Sequence, residues 1–193
     1  MGRRNSKENM RRKGCLVGLL GLALSGCGED PFRIRWTENP TEQVLYALDR
    51  EELNQFSGFD MIGRLRVVIE DPQTEGAWDF AVDREGGAMV FLPPRTLGLD
   101  SRAGIAPIPG SEYDDVTVAP ADTLAYVVDE PVPIALGTVY VIRTRLASGG
   151  FGRVCHFFGK LEPLEIDAVA GVVRLVQDTS PDCNNRSLIP PDD

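Results

Sequence analysis

Arg64-Leu65-Arg66-Val67-Val68-Ile69-Glu70, followed by Ala77-Trp78-Asp79-Phe80-Ala81-Val82-Asp83-Arg84 and then Ala88-Met89-Val90-Phe91-Leu92, is the stretch that decides the fold class. Leu65, Val67 and Ile69 fall on one side of an extended chain. Trp78, Phe80 and Val82 do the same, with Asp79 and Asp83 opposite. That two-residue period belongs to strands with one buried face. Gly86-Gly87 supplies a tight turn, so residues 64–92 predict a three-stranded meander.

Working outward, further strands are predicted at Val116–Val118, Thr123–Val128, Thr138–Arg145, Arg153–Ile166 and Gly171–Gln177, with Asp167–Gly171 as a hairpin connection. Upstream, Phe32–Trp36 also reads as a strand. Asn39-Pro40-Thr41-Glu42 carries the parts of a helix cap. Val44–Leu48 suits either state, and the favoured reading is a strand there with a short helical turn at Arg50–Asn54. Long stretches with a 3.6-residue period do not occur. Many short strands between Pro and Gly turns predict an all-β fold, a single antiparallel β-sandwich or barrel-like domain with little helix.

The N-terminus is built differently. Arg3, Arg4, Lys7, Arg11, Arg12 and Lys13 precede roughly ten apolar residues, Cys15–Leu24, and then the small residues Ser25 and Gly26. Basic start, short apolar run and small-residue cleavage zone are the parts of a secretory signal. A membrane-spanning helix needs about 20 apolar residues, so this run is too short to be one. Leu24-Ser25-Gly26-Cys27 resembles the lipobox of bacterial lipoproteins. The resemblance implies cleavage after Gly26 and lipid attachment at Cys27, with acyl chains such as palmitate. Two or more chains anchor a protein stably, whereas one does so only marginally. Gly28, where some lipoproteins carry Asp, implies the outer membrane. The expected organisation is therefore residues 1–26 as signal peptide, 27–31 as lipid-anchored tether and 32–193 as the β-rich domain, held at the membrane surface of the cell envelope.

Removing that signal leaves 14 Lys+Arg against 28 Asp+Glu, a net charge of −14 compared with −9 for the whole chain. So acidic a surface argues against nucleic acid as a partner, because phosphate contacts need positive charge. The remaining partners are the membrane, through the lipid, and an envelope protein or glycan. Of the four cysteines, Cys15 leaves with the signal and Cys27 takes the lipid. Cys155 and Cys183 remain, either as one disulfide, the expected pairing in an exported protein, or as two free buried thiols. Closing a loop of about 28 residues would contribute roughly 3.5 kcal/mol in the loop-entropy model.

Chemical signatures are sparse. His156 is the sole histidine and adjoins Cys155. Neighbours on a strand point to opposite faces, which disfavours a shared metal site or a Cys–His nucleophile pair. Gly-x-Ser-x-Gly, His-Glu-x-x-His, P-loop and EF-hand motifs do not occur, and the sequence calls for no cofactor. Gly149-Gly150-Phe151-Gly152 reads as a turn between strands. A two-carboxylate hydrolase leaves no local signature and stays open.

Arg-x-Arg recurs on predicted strands at Arg33/Arg35, Arg64/Arg66 and Arg143/Arg145. Period 2 puts each pair on one face, and together the pairs would make a cationic platform for a carboxylate, phosphate or acidic glycan. The competing expectation is cross-strand ion pairing. If Glu70 opposes Ala77 in the meander, Arg64 faces Asp83 and Arg66 lies diagonal to Asp79.

The C-terminal half is similar to uncharacterised small lipoproteins, through Gly137-Thr138-Val139-Tyr140-Val141-Ile142-Arg143, Cys155, Lys160-Leu161, Cys183-Asn184 and Arg186. That similarity implies a shared β-domain and carries no activity. The sequence favours a non-enzymatic, lipid-anchored envelope protein with an interaction or structural domain. The alternatives are a binding module for an anionic small molecule or glycan, with Arg64, Arg66, Arg143 and Arg145 as binding residues, and a carboxylate-dependent hydrolase.

Overall fold

The structure, a computed structural model, describes Trp36 and residues 40–149 and 152–191. Cys27, the signal peptide, most of the predicted Phe32–Trp36 strand and the Arg33/Arg35 pair lie outside the described residues.

Two five-stranded antiparallel sheets pack face to face. The first runs, in spatial order, β1 (Thr41–Tyr46), β12 (Val172–Thr179), β11 (Phe158–Asp167), β8 (Thr138–Arg143) and β6 (Gly104–Pro109). The second runs β3 (Leu65–Val67), β2 (Gly58–Asp60), β4 (Phe80–Glu85), β5 (Ala88–Leu92) and β7 (Val132–Pro133). A small hairpin, β9 (Ala147–Ser148) with β10 (Val154–Cys155), stands apart. The described residues contain no α-helix, only short 3₁₀ turns, and no helix long and apolar enough to cross a membrane.

Alternation builds the core. Tyr140 and Ile142 of β8 point inward with Val173 and Leu175 of β12, to meet Phe80 and Val82 of β4 and Met89 and Phe91 of β5. The intervening residues Val139 and Val141 turn to the opposite face and pack with Val116, Tyr126, Phe158 and Leu188. A run of aromatic edges crosses between the sheets: Phe80–Phe91 at 5.2 Å and Phe91–Tyr140 at 5.0 Å between ring centroids. The Tyr140 hydroxyl ends buried but satisfied, donating to the Pro133 carbonyl at 2.8 Å and accepting from the Ala135 N–H at 2.9 Å.

The expected meander is corrected. Only Leu65–Val67 of the first predicted strand is extended, and it pairs with β2, which the sequence reading missed; β2 in turn pairs with β4. The extended run ends at Val67, where the Asp71 N–H turns back to the Val68 carbonyl at 3.2 Å; Asp71 then starts a 3₁₀ turn at Pro72–Thr74 by accepting from the Gln73 N–H at 2.9 Å. The chain bends at Asp79, so Trp78 and Phe80 are not on one face. Trp78 packs outside with Val67 and Leu92, and Phe80 packs inside.

Other boundaries also move. Strand β1 stops at Tyr46 because the chain changes sheets: the Ala47 N–H bonds Gly171 and the Leu48 N–H bonds Val82. Arg50–Asn54 is a series of bends rather than a helical turn. Val116–Val118 and Thr123–Val128 are a loop stitched by two single bridges, Val118 to Ser187 and Ile105 to Val127. Pro120 cannot donate a ladder bond, and the Asp122 carboxylate turns the chain by accepting from the Leu124 N–H. Predicted strand 153–166 is two strands, β10 and β11. The Asp167–Gly171 hairpin is present, with Asp167 accepting from the Ala170 N–H.

Cys155 and Cys183 form a disulfide, which holds the C-terminal segment to β10. A Cβ at Gly149 would come within 2.8 Å of the Cys183 sulfur and 2.9 Å of the Cys155 sulfur, so glycine there makes room for the bridge.

Candidate functional site

The four predicted binding arginines go to four different places, and no single platform forms among the described residues. The expected partners Asp83 for Arg64 and Asp79 for Arg66 are overturned with the meander, because β2 separates β3 from β4.

Arg64 sits at a positive φ of 53° just before β3 and reaches across to the first sheet. Its Nη2 donates to the Thr179 carbonyl at 2.8 Å and lies 3.6 Å from the Asp178 carboxylate. Arg66 lies with its guanidinium 4.5 Å from the centre of the Phe56 ring. Both contacts fasten edge strand β3 to its surroundings.

Arg145 turns into the protein. Its Nη1 donates to Asp60 at 2.9 Å and to Asp79 at 3.0 Å, while its backbone N–H donates to the other Asp79 oxygen at 2.8 Å. The Met61 N–H adds a fourth bond at 2.8 Å. Asp79 has no exposed surface. Burial pushes its carboxyl up to about 6, with Arg145 pulling the other way. Asp60 and Asp79 belong to the second sheet and Arg145 follows β8 of the first, so this cluster locks the layers together.

Arg143, two residues earlier, faces outward. In the ladder it lies opposite Gly104 of β6 on one side and Phe158 of β11 on the other. Its guanidinium stacks 4.9 Å from the Tyr126 ring centre, and Nε donates to the Arg102 carbonyl at 3.2 Å. A Cβ at Gly104 would lie 2.9 Å from Tyr126 Cβ, so that glycine admits the ring beneath Arg143.

Arg102 precedes Gly104 by two residues and His156 precedes Phe158 by two. The same end of three adjacent strands therefore carries Arg102, Arg143 and His156 side by side. The His156 Nδ1 lies 2.6 Å from the Thr144 carbonyl. A carbonyl only accepts, so Nδ1 carries the hydrogen and Nε2 is left as the titrating nitrogen. Burial holds the imidazole below its ordinary value, Arg143 and Arg102 add to that, and the Thr144 bond opposes it.

Sequence reasoning missed Arg102, a solitary arginine outside any repeated pattern, and set His156 aside. Only the register of three strands brings them beside Arg143. Cys155, next to His156, is occupied by its disulfide. No group of three or more His, Cys, Asp or Glu poised for a metal occurs among the described residues.

Two clefts flank these elements. One of 360 Å³ is lined by Trp78, Leu99, Asp100, Arg102, Arg145 and Leu146. Another of 480 Å³ carries Glu112, Asp114 and Glu162 beside Tyr113. Beneath the second, the buried Lys160 ammonium donates to the Tyr113 and Val116 carbonyls at 2.6 and 3.0 Å and pins the covering loop. No family model, no curated protein and no solved structure matches this chain.

Proposed function

We propose that this chain is a lipid-anchored protein of the cell envelope, tethered at the outer membrane through Cys27, whose β-sandwich acts by binding or scaffolding rather than by catalysis. Leu24-Ser25-Gly26-Cys27 after a basic start and a short apolar run is the observation that carries this reading. The disulfide supports it, because such bridges persist in oxidising compartments outside the cytosol.

The non-catalytic half has its own support. Asp60 and Asp79 come close enough together for one Arg145 nitrogen to bridge both. A carboxylate saturated by a guanidinium and two backbone N–H groups is poorly placed to exchange protons with a substrate.

Detergent phase partitioning and mass spectrometry of the N-terminal peptide test the anchor. The native chain should carry acyl mass on Cys27 and enter the detergent phase, and Cys27→Ser should lose both properties. Unchanged partitioning and mass in that variant would overturn the reading.

A further inference from the structure

The cations of this acidic chain divide by whether they meet a carboxylate. Arg50, Arg64, Arg84, Arg145 and Arg174 each have one within 4.0 Å. Arg102, Arg143 and His156, like Arg66, Arg95, Lys160 and Arg186, have none among the described residues, and these three share one end of β6, β8 and β11. Two guanidiniums and an imidazole side by side without a counter-charge stand out in a chain of net charge −9.

We propose that Arg102, Arg143 and His156 bind a soluble tetrahedral oxyanion of the sulfate or phosphate class, and that His156 Nε2 takes up a proton from solvent as the anion arrives. This deepens the binding half of the proposed function, and its failure would leave the anchor test untouched.

The donors favour a tetrahedral anion. A planar carboxylate is satisfied by the fork of one guanidinium, whereas these groups come from three separate strand ends and suit oxygens pointing in several directions. Among the described residues Arg143 hydrogen-bonds only through Nε, and Arg102 is exposed. The neighbouring cleft is a poorer anion site, since Arg145 there already answers Asp60 and Asp79, and Asp100 lines the wall. The larger cleft, with three acidic residues, repels anions.

Proton uptake follows from the same surroundings. The charged groups acting on His156 are Arg143, from β8, and Arg102, from the segment entering β6. The C-terminal segment presents Asn184, which is uncharged and accepts from the His156 backbone N–H at 3.1 Å. Arg153 and Asp182, the charged residues nearest along the flanking segments, each have partners. An oxyanion reverses the local field, raises the imidazole's proton affinity and gains a third donor.

Because His156 is the sole histidine, its imidazole carbon-bound protons report the site cleanly by NMR of the purified full chain. Sodium sulfate is titrated against sodium chloride at matched ionic strength, between about pH 5.5 and 7.5, a range that spans the ordinary histidine value. Saturable shifts specific to sulfate are expected, with affinity several-fold tighter at the acidic end. Arg102→Gln, at an exposed position that does not threaten folding, should weaken binding about tenfold, the equivalent of one charge-assisted contact. His156→Gln, followed by calorimetry, should still bind sulfate but lose the pH dependence. Equal responses to chloride, wild-type affinity in Arg102→Gln, or a response only to phosphatidylglycerol vesicles would overturn the proposal.

Discussion

Arg143 and Arg145 are two residues apart, yet the regions they occupy are electrostatic opposites. Arg145 points between the sheets to two carboxylates, one without exposed surface. Arg143 points outward to an aromatic ring and a carbonyl, with Arg102 and His156 as neighbours. Strand β8 ends at Arg143, so the period that would keep both side chains on one face ends there too. An Arg-x-Arg pair at a strand end is therefore two residues with separate roles. One closes the sandwich, and the other is left at its rim.

The largest test of that contrast is Arg145→Met. It leaves Asp79 buried without its counter-charge, which should cost about 3–5 kcal/mol in urea unfolding at neutral pH. A loss below about 1 kcal/mol would mean that the cluster does not lock the layers. The loss should shrink on acidification, because a protonated Asp79 no longer needs the guanidinium.

The wild-type chain should show the same group. Asp79 is raised to about 6 in the fold, above an unfolded carboxyl near 3.9. The folded state therefore binds the proton more tightly. Its contribution to stability is full below about pH 4 and is lost as pH rises through about 6, a span worth on the order of 3 kcal/mol. Unfolding curves across this window should show that gain on acidification, and Asp79→Asn should abolish it. A window that is identical in the variant would assign the pH dependence elsewhere.

The disulfide divides the regions a second way. Cys155 immediately precedes His156, and Cys183 precedes Asn184, which bonds the His156 backbone. Cys155→Ser combined with Cys183→Ser should lower stability by about 2–4 kcal/mol. The Asp79 pH window should survive in that variant, while the His156 resonances broaden or multiply. Loss of the pH window would show that the bridge supports the inter-sheet lock as well as the rim.

What the sequence made legible follows the same division between local and distant causes. Gly86-Gly87, the Asp167–Gly171 hairpin and the alternation in β4, β5, β8 and β12 are settled by neighbouring residues, and the sandwich class follows from them. The pairing of Cys155 with Cys183 could be reached by counting thiols. Strand β2 could not be read: Gly58-Phe59-Asp60 is too short to show a period, and only distant pairing inserts it between β3 and β4. Alternation alone puts Asp79 opposite the Trp78, Phe80 and Val82 face, because the bend that turns it inward has no motif. Its true partner lies 66 residues away, beyond any pattern of spacing. The rim cluster was hidden for the same reason, since it exists only in the register of β6, β8 and β11.

The smallest expected effect is the most discriminating one. Arg143→Gln removes a stacked cation worth about 0.5–1 kcal/mol and one bond to the Arg102 carbonyl. It also removes a half-buried charge that has no carboxylate among the described residues, and relieves its repulsion with Arg102. These terms oppose each other, so the net loss in urea unfolding should stay below about 1 kcal/mol. Arg145→Met has no such offset, because there the lost partner strands a buried carboxylate. If Arg143→Gln destabilises the chain as much as Arg145→Met, the rim arginine is part of the scaffold. If its cost is small, the charge is kept for something other than stability, as an oxyanion site requires.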